Sequence, residues 1–241
     1  MAEGGKRLTG TVYGLGVGPG DPDLITVKGL RILEAAPVIA YPATMEGEST
    51  ARAIVDTHLG NGKTELPLFI DISAGHAANA PNYDKAAAAI SAHLEAGRDV
   101  AVLCEGDPFF YGSFSYLFAR LAEDWPVEVV PGVSSLTACA AALGAPLAAG
   151  GDILTVLPAS LDENVLRQRM DAADGVAIIK IGRHFAKIAK VLEGAGLLAN
   201  ARYVERVGFA DERSLPITEV KADEAPYFSM VLAHHRGEAW K

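Results

Sequence analysis

A chain of 241 residues, 50% hydrophobic and 21% charged, has the profile of a globular enzyme rather than of a disordered or fibrous chain. Its formal net charge of −9 argues against a nucleic-acid partner, because binding to phosphates is driven by Lys and Arg displacing counterions. No run of about 18 uncharged apolar residues is present to span a membrane, and Met1 to Gly10 lacks the continuous apolar stretch of a signal peptide, so a soluble, cytoplasmic protein is expected.

In the first half, short apolar runs rich in β-branched residues recur at Thr11 to Leu15, Pro37 to Tyr41, Asp99 to Cys104 and Val127 to Val130. Between them, Val27, Leu30 and Leu33 give helical spacing up to Glu34, and the Ala-rich segment Tyr83 to Ala96 reads as a helix closed by Gly97. Strands alternating with helices predict a parallel sheet covered on its faces. The segment Leu66 to Asn82, holding Pro67, Gly75 and Pro81, has no period and is expected as a long surface loop. Gly144 to Gly151 is crowded with Gly and Pro, which places a domain boundary there and divides the chain into 1–146 and 147–241. Beyond it, strands are expected at Ile153 to Leu157, Val176 to Ile181, Ala201 to Val207 and Phe228 to Ala233. Helices are expected near Asp162 to Ala172 and His184 to Glu193, the latter with Phe185, Ile188, Ala189 and Leu192 on one face.

The first strand runs into Tyr13-Gly-Leu-Gly-Val-Gly-Pro-Gly-Asp-Pro, with glycine at 14, 16, 18 and 20. A dinucleotide fingerprint needs its third glycine where Asp21 stands, and the next strand ends without a ribose-binding acid, so a nicotinamide enzyme is disfavoured. Alternate glycines leave one face of the strand bare, either for a large ligand or for close helix packing; spacing alone leaves both open. Ligands of open α/β sheets bind beyond the carboxyl ends of the strands, where this loop lies.

Two further loops fall at the same edge. Strand three ends Val102-Leu-Cys-Glu-Gly-Asp-Pro-Phe-Phe-Tyr-Gly-Ser, a turn into a helix near Ser113, in which Asp107 either orients a ligand hydroxyl or stabilises the turn. Phe109, Phe110 and Tyr111 either wall a ligand or join the core. Strand four ends Val129-Val-Pro-Gly-Val-Ser-Ser, where Ser134 or Ser135 is placed to cap the helix that follows. Three permissive loops on parallel strands form one crevice. No catalytic Ser-His-Asp or Cys-His constellation is visible. Cys104, Cys139 and the six histidines show no metal-ligand spacing, so buried thiols and no protein-bound metal are expected.

The run Gly16-Val-Gly-Pro-Gly-Asp-Pro-Asp-Leu-Ile-Thr-Val-Lys-Gly-Leu-Arg-Ile-Leu, followed by Ala35-Ala-Pro-Val-Ile-Ala, resembles the N-terminal signature of the tetrapyrrole (corrin/porphyrin) methylases. Gly-Asp-Pro-x-x-Tyr-Gly resembles the second cofactor loop of that family and Pro-Gly-Val-Ser-Ser its third, with a thinner likeness at Ile181-Gly182, Arg206-Val207 and Phe228 to His234. The resemblance implies an α/β fold of two domains, the first mainly a parallel sheet and the second a mixed sheet, with S-adenosyl-L-methionine in the cleft between them and usually a homodimer. Carried over by position, Pro19, Gly106, Asp107 and Phe110 line the cofactor, with Ser134 and Ser135 beside it. Ile181, Val207 and Ser229 close the site through mainly backbone contacts. Within the family, Leu103 to Leu117 and Ala40-Tyr-Pro are most similar to members that methylate precorrin-2 at carbon 20. The alternatives are methylation of another tetrapyrrole, such as uroporphyrinogen III or cobalt-factor II, and a non-catalytic binding module on the same frame. Methyl transfer needs proximity and alignment rather than a nucleophilic side chain. Glu105 and Tyr111 are the candidates for a base that removes the displaced proton. A polycarboxylate substrate calls for guanidinium groups, which Arg31, Arg52, Arg120, Arg183 and Arg206 are placed to supply.

Overall fold

The computed structural model describes residues 9–70 and 75–237. The chain divides into two compact units, one ending at Ser134 and one starting at Ser135.

The first unit alternates strand and helix. It comprises β1 (Val12–Gly16), α1 (Val27–Ala35), β2 (Val38–Ala43), α2 (Thr50–Ile54), β3 (Thr64–Phe69), α3 (Gly75–Glu95), β4 (Val100–Cys104), α4 (Phe114–Leu121) and β5 (Val127–Val130). All five strands are parallel, in the order β3-β2-β4-β1-β5. Strand β4 is buried along its whole length, as a central strand covered on both faces should be. The Thr26 hydroxyl caps α1 by accepting from the Gly29 amide at 3.0 Å. Beneath α3 and α4, Tyr83, Ile90, Leu94, Phe114, Leu117 and Leu121 pack on Val12, Val38, Val100 and Val102 to form the core.

The crossovers fix where a ligand can enter. From β1 the chain steps over β4 to β2; from β4 it steps the opposite way, over β1, to β5. Right-handed crossovers then put α1 and α4 on opposite faces, and the loops leaving β1 and β4 part from one another at the switch point of the sheet.

The second unit opens with α5 (Ser135–Leu143) and continues through β6 (Leu154–Pro158), α6 (Glu163–Asp171), β7 (Gly175–Ile179), α7 (Phe185–Gly194), β8 (Arg202–Glu205), β9 (Arg213–Pro216) and β10 (Ser229–His234). Its sheet has the order β6-β7-β10-β8-β9, with β6 and β7 parallel and the remaining pairs antiparallel. Leu166 and Met170 of α6 and Phe185, Ile188 and Leu192 of α7 cover Val176, Ile178 and Val231 of the sheet.

Two expectations change. The loop expected over Leu66 to Asn82 is, among the described residues, the rest of strand β3 and the first turns of α3, with 71–74 outside the described residues. Pro67 hid the strand because proline lacks a ladder donor. It is tolerated since β3 is the edge strand and bonds only to β2. Pro81, read as a breaker, lies inside the 21-residue α3. The units also meet at Ser134–Ser135 and not at 146, because α5 packs on β8 and β10 of the second sheet.

Candidate functional site

Three loops converge at the carboxyl edge of the first sheet, and their backbones touch. A Cβ on Gly16 would stand 2.5 Å from the Gly132 nitrogen and 2.8 Å from the Gly106 carbonyl oxygen, and one on Gly132 would stand 2.0 Å from that same oxygen. Only glycine permits such an approach. Gly18 and Gly106 exchange backbone hydrogen bonds of 3.4 and 2.7 Å as an isolated antiparallel bridge, which stitches the first loop to the second at the switch point. The first strand's other glycine answers to packing. A Cβ on Gly14 would lie 2.3 Å from the Phe114 ring, so its bare face belongs to the core and not to a ligand.

Asp107 joins the second loop to the third. Its Oδ1 accepts from the Phe109 and Phe110 amides at 2.9 and 3.0 Å, and its Oδ2 accepts from the Gly132 amide at 3.1 Å. A carboxylate bound to three N–H donors is a rigid brace for both loops. Glu105, at the end of β4, accepts from the Ala51 amide of α2 at 3.2 Å. Tyr111 is 44% exposed, sits edge-on to Phe110 with ring centroids 5.2 Å apart, and has a left-handed backbone with φ 55°. A non-glycine residue in that region costs roughly 1–2 kcal/mol of local strain, which the flanking bonds must hold. Phe109, though half exposed, packs edge-to-face on Phe118 at 5.2 Å. Pro19 is buried in the first loop, and Ser134 is half-buried at the end of the third.

In the second unit Ile181, Val207 and Ser229 come together at one edge of the sheet. The register pairs Met230 with Ile179 and Ser229 with Glu205, which brings the ends of β7 and β8 to the start of β10. Ile181 is fully buried and Val207 nearly so, which turns their side chains inward. The Ser229 hydroxyl donates to the Pro226 carbonyl at 2.6 Å, the Gly182 amide to the same carbonyl at 3.2 Å, and the Arg206 amide to the Phe228 carbonyl at 2.8 Å. Lys180 and Arg206 have left-handed backbones, with φ of 59° and 51°. Ser135 begins α5.

A cluster escaped the sequence reading. Glu205 is 3% exposed, accepts from the Tyr203 hydroxyl at 2.6 Å and pairs with Arg213 across the β8–β9 hairpin. Burial, together with the neighbouring carboxylate, holds the Tyr203 hydroxyl well above its ordinary pKa. A short polar strand, Arg-Ser-Leu-Pro, gave no periodic signal for β9.

The arginines divide by partner. Arg52 makes two bonds to Glu65, at 2.9 and 3.1 Å, and one to Asp56 at 2.7 Å. The Arg52 guanidinium and the Tyr41 hydroxyl hold the Glu65 carboxyl below the usual carboxylate range. Arg120 pairs with Asp84 at 2.6 Å and Arg206 with Asp211. Both cysteines are buried; burial pushes the Cys139 thiol up to about 12 and the Cys104 thiol higher than usual, so neither is a nucleophile at neutral pH. Among the described residues no group of three His, Cys, Asp or Glu side chains is placed to hold a metal ion, and no helix is long and apolar enough to cross a membrane.

The pattern defining the tetrapyrrole (corrin/porphyrin) methylases matches residues 11–223. A precorrin-2 C(20)-methyltransferase of Sinorhizobium sp is 41% identical over 231 residues, covering 92% of this chain and 94% of that protein. The cobalamin biosynthesis protein CobIJ of Mycobacterium bovis is 40% identical over 232 residues, which is 92% of this chain and 46% of CobIJ, so the chain spans about half the length of that relative. Among solved structures, a uroporphyrin-III C-methyltransferase from Thermus thermophilus complexed with S-adenyl homocysteine is 25% identical, with a TM-score of 0.68 over 94% of this chain and 98% of that one.

Proposed function

Because the chain belongs to the tetrapyrrole (corrin/porphyrin) methylases, we propose that it methylates precorrin-2 at carbon 20, giving precorrin-3A in cobalamin biosynthesis. The observation that carries this is the 41% identity to a precorrin-2 C(20)-methyltransferase along nearly the full length of both chains. Bound S-adenosyl-L-methionine supplies a methyl group activated by its sulfonium, and S-adenosyl-L-homocysteine leaves as product. The donor set suits such a cofactor. The loops bring close-packed glycine backbone and the braced Asp107 carboxylate together at a switch point, and they lack the third glycine of a dinucleotide fingerprint.

Pro19, Gly106, Asp107, Phe110, Ser134 and Ser135 line the cofactor, and Ile181, Val207 and Ser229 add backbone contacts from the second unit. Asp107 works through its brace, fixing where the Phe110 and Gly132 amides point. Rigid loops align the methyl group with the attacking carbon, and alignment is the main contribution a protein makes to an in-line displacement. Tyr111 and Glu105 stand at the same edge as the groups able to take the displaced proton. The protein works as a cytoplasmic homodimer, without a resident metal, a nucleic acid or a membrane.

Titration calorimetry with S-adenosyl-L-homocysteine tests the cofactor assignment. One site per chain is expected. A flat titration, with NADH binding instead, would overturn it.

A further inference from the structure

Of the five arginines that the sequence offers to a polycarboxylate, Arg52, Arg120 and Arg206 are held by carboxylates of the protein itself. Their charge is already compensated, so a ligand would have to compete for it. Arg31 and Arg183 differ: both are exposed, and among the described residues neither pairs with a carboxylate. Of the two, Arg183 stands near a second cation, Lys187. It lies in the 3-10 turn Gly182–His184, directly after Ile181, and that turn is fastened by the bonds from the Gly182 amide to Pro226 and from the His184 amide to Ile181 at 2.8 Å. A Cβ at Gly182 would meet Tyr227 at 3.3 Å, so the turn is seated tightly on the start of β10.

More positive charge gathers on the same stretch of chain. Lys180 places its ammonium 5.7 Å from the centre of the Tyr227 ring, and that ring is 38% exposed. Lys187, in the first turn of α7, donates to the Leu161 carbonyl at 2.6 Å, which orders the ammonium without neutralising it. Glu163 of the packed helix pairs with Lys190 at 2.9 Å and also interacts electrostatically with the Lys187 ammonium. His184 registers the resulting potential: burial, then Lys187, then Arg183 hold its imidazole below the ordinary range. The chain as a whole carries −9, so a cationic surface here is a local departure from its surroundings.

We propose that Arg183, with Lys187 acting beside it on His184 and Lys180 on the same stretch of chain against the Tyr227 ring, is a carboxylate-binding subsite that anchors an acidic side arm of the substrate at this edge of the second unit. The proposal rests on the methyltransferase assignment above. It gives the substrate a cationic foothold distinct from the loops assigned to the cofactor, which carry the Glu105 and Asp107 carboxylates. Arg183 is a binding residue; it moves no proton and makes no bond in the reaction.

The test is steady-state kinetics of Arg183→Ala with precorrin-2, with Arg183→Lys and the exposed Arg169→Ala beside it. For Arg183→Ala the substrate KM should rise about tenfold with kcat nearly unchanged, the signature of lost uniform binding. S-adenosyl-L-homocysteine affinity and Tm should stay at wild-type values, Arg183→Lys should recover part of the loss, and Arg169→Ala should behave as wild type. The wild-type KM should also rise with salt more steeply than that of Arg183→Ala. Active wild-type enzyme with an unchanged KM in Arg183→Ala would overturn the subsite and leave the methyltransferase assignment standing. Wild-type enzyme that binds no S-adenosyl-L-homocysteine and methylates nothing would overturn both.

Discussion

At Gly132 one methyl group decides whether two loops can meet, since a Cβ there would lie 2.0 Å from the Gly106 carbonyl oxygen, a backbone atom that cannot swing aside. Gly132→Ala must therefore push the third loop off the second and lengthen the Asp107 to Gly132 hydrogen bond. Overpacking of this kind costs roughly 1–3 kcal/mol. Thermal unfolding should shift down, and S-adenosyl-L-homocysteine affinity should fall by more than about tenfold, which equals about 1.4 kcal/mol. Gly60→Ala, where a Cβ meets nothing within 4 Å, should leave both unchanged. Equal behaviour of the two variants would refute the brace. Which glycines mattered was only half legible in the sequence. Gly14 and Gly16 sit in one pattern, yet Gly14 makes room for the Phe114 ring and Gly16 for the Gly132 backbone, a distinction set by partners far along the chain and invisible to spacing. Asp107 was likewise visible as a turn residue, but its bond to Gly132 depends on β4 and β5 flanking β1 in the sheet.

Among the elements, the β8–β9 hairpin depends on one buried carboxylate. Glu205 closes it by accepting from Tyr203 and pairing with Arg213, and the next residue, Arg206, turns left-handed into Val207. Removing the carboxylate leaves the buried Tyr203 hydroxyl without its acceptor, which costs about 1–3 kcal/mol; the Arg213 end is half exposed and adds little. Glu205→Ala should lower Tm by several degrees, at about 2–4 °C per kcal/mol for a chain of this size, and Glu205→Gln should recover part of the drop. A Tm within about a degree of wild type for Glu205→Ala would show that the hairpin does not need it. The element level also shows why some strands were readable and others not. β1, β2, β4 and β7 are apolar and interior, so composition alone marks them; among the edge strands β5 keeps a β-branched run and stays readable, whereas β3 and β9 carry Pro67 and Pro216, which edge positions tolerate and which hide the strand pattern.

On the scale of the whole molecule, each unit gathers residues that the family resemblance assigns to the cofactor at one edge of its own sheet, and helix α5 is built into the second unit directly after the last loop of the first. The Gly- and Pro-rich stretch at 144–151 looked like a linker because it is rich in turn formers; it connects α5 to β6 within one unit. The fold class and the three loops were legible because hydrophobic period and turn chemistry are local. The division of the arginines into spent and available ones was not, because it depends on which acids tertiary structure brings beside them. Net charge, too, reports only a sum, and −9 is compatible with a polyanionic substrate once cations gather locally, as Arg183 and Lys187 do around His184.

The most direct measurement of the central claim is mass spectrometry and NMR of the product after the purified protein is incubated with methyl-labelled S-adenosyl-L-methionine and precorrin-2, with uroporphyrinogen III in a parallel reaction. One labelled methyl group at carbon 20 of precorrin-2, and none on uroporphyrinogen III, is the predicted result. Label on uroporphyrinogen III alone, or at any other carbon of precorrin-2, would contradict it.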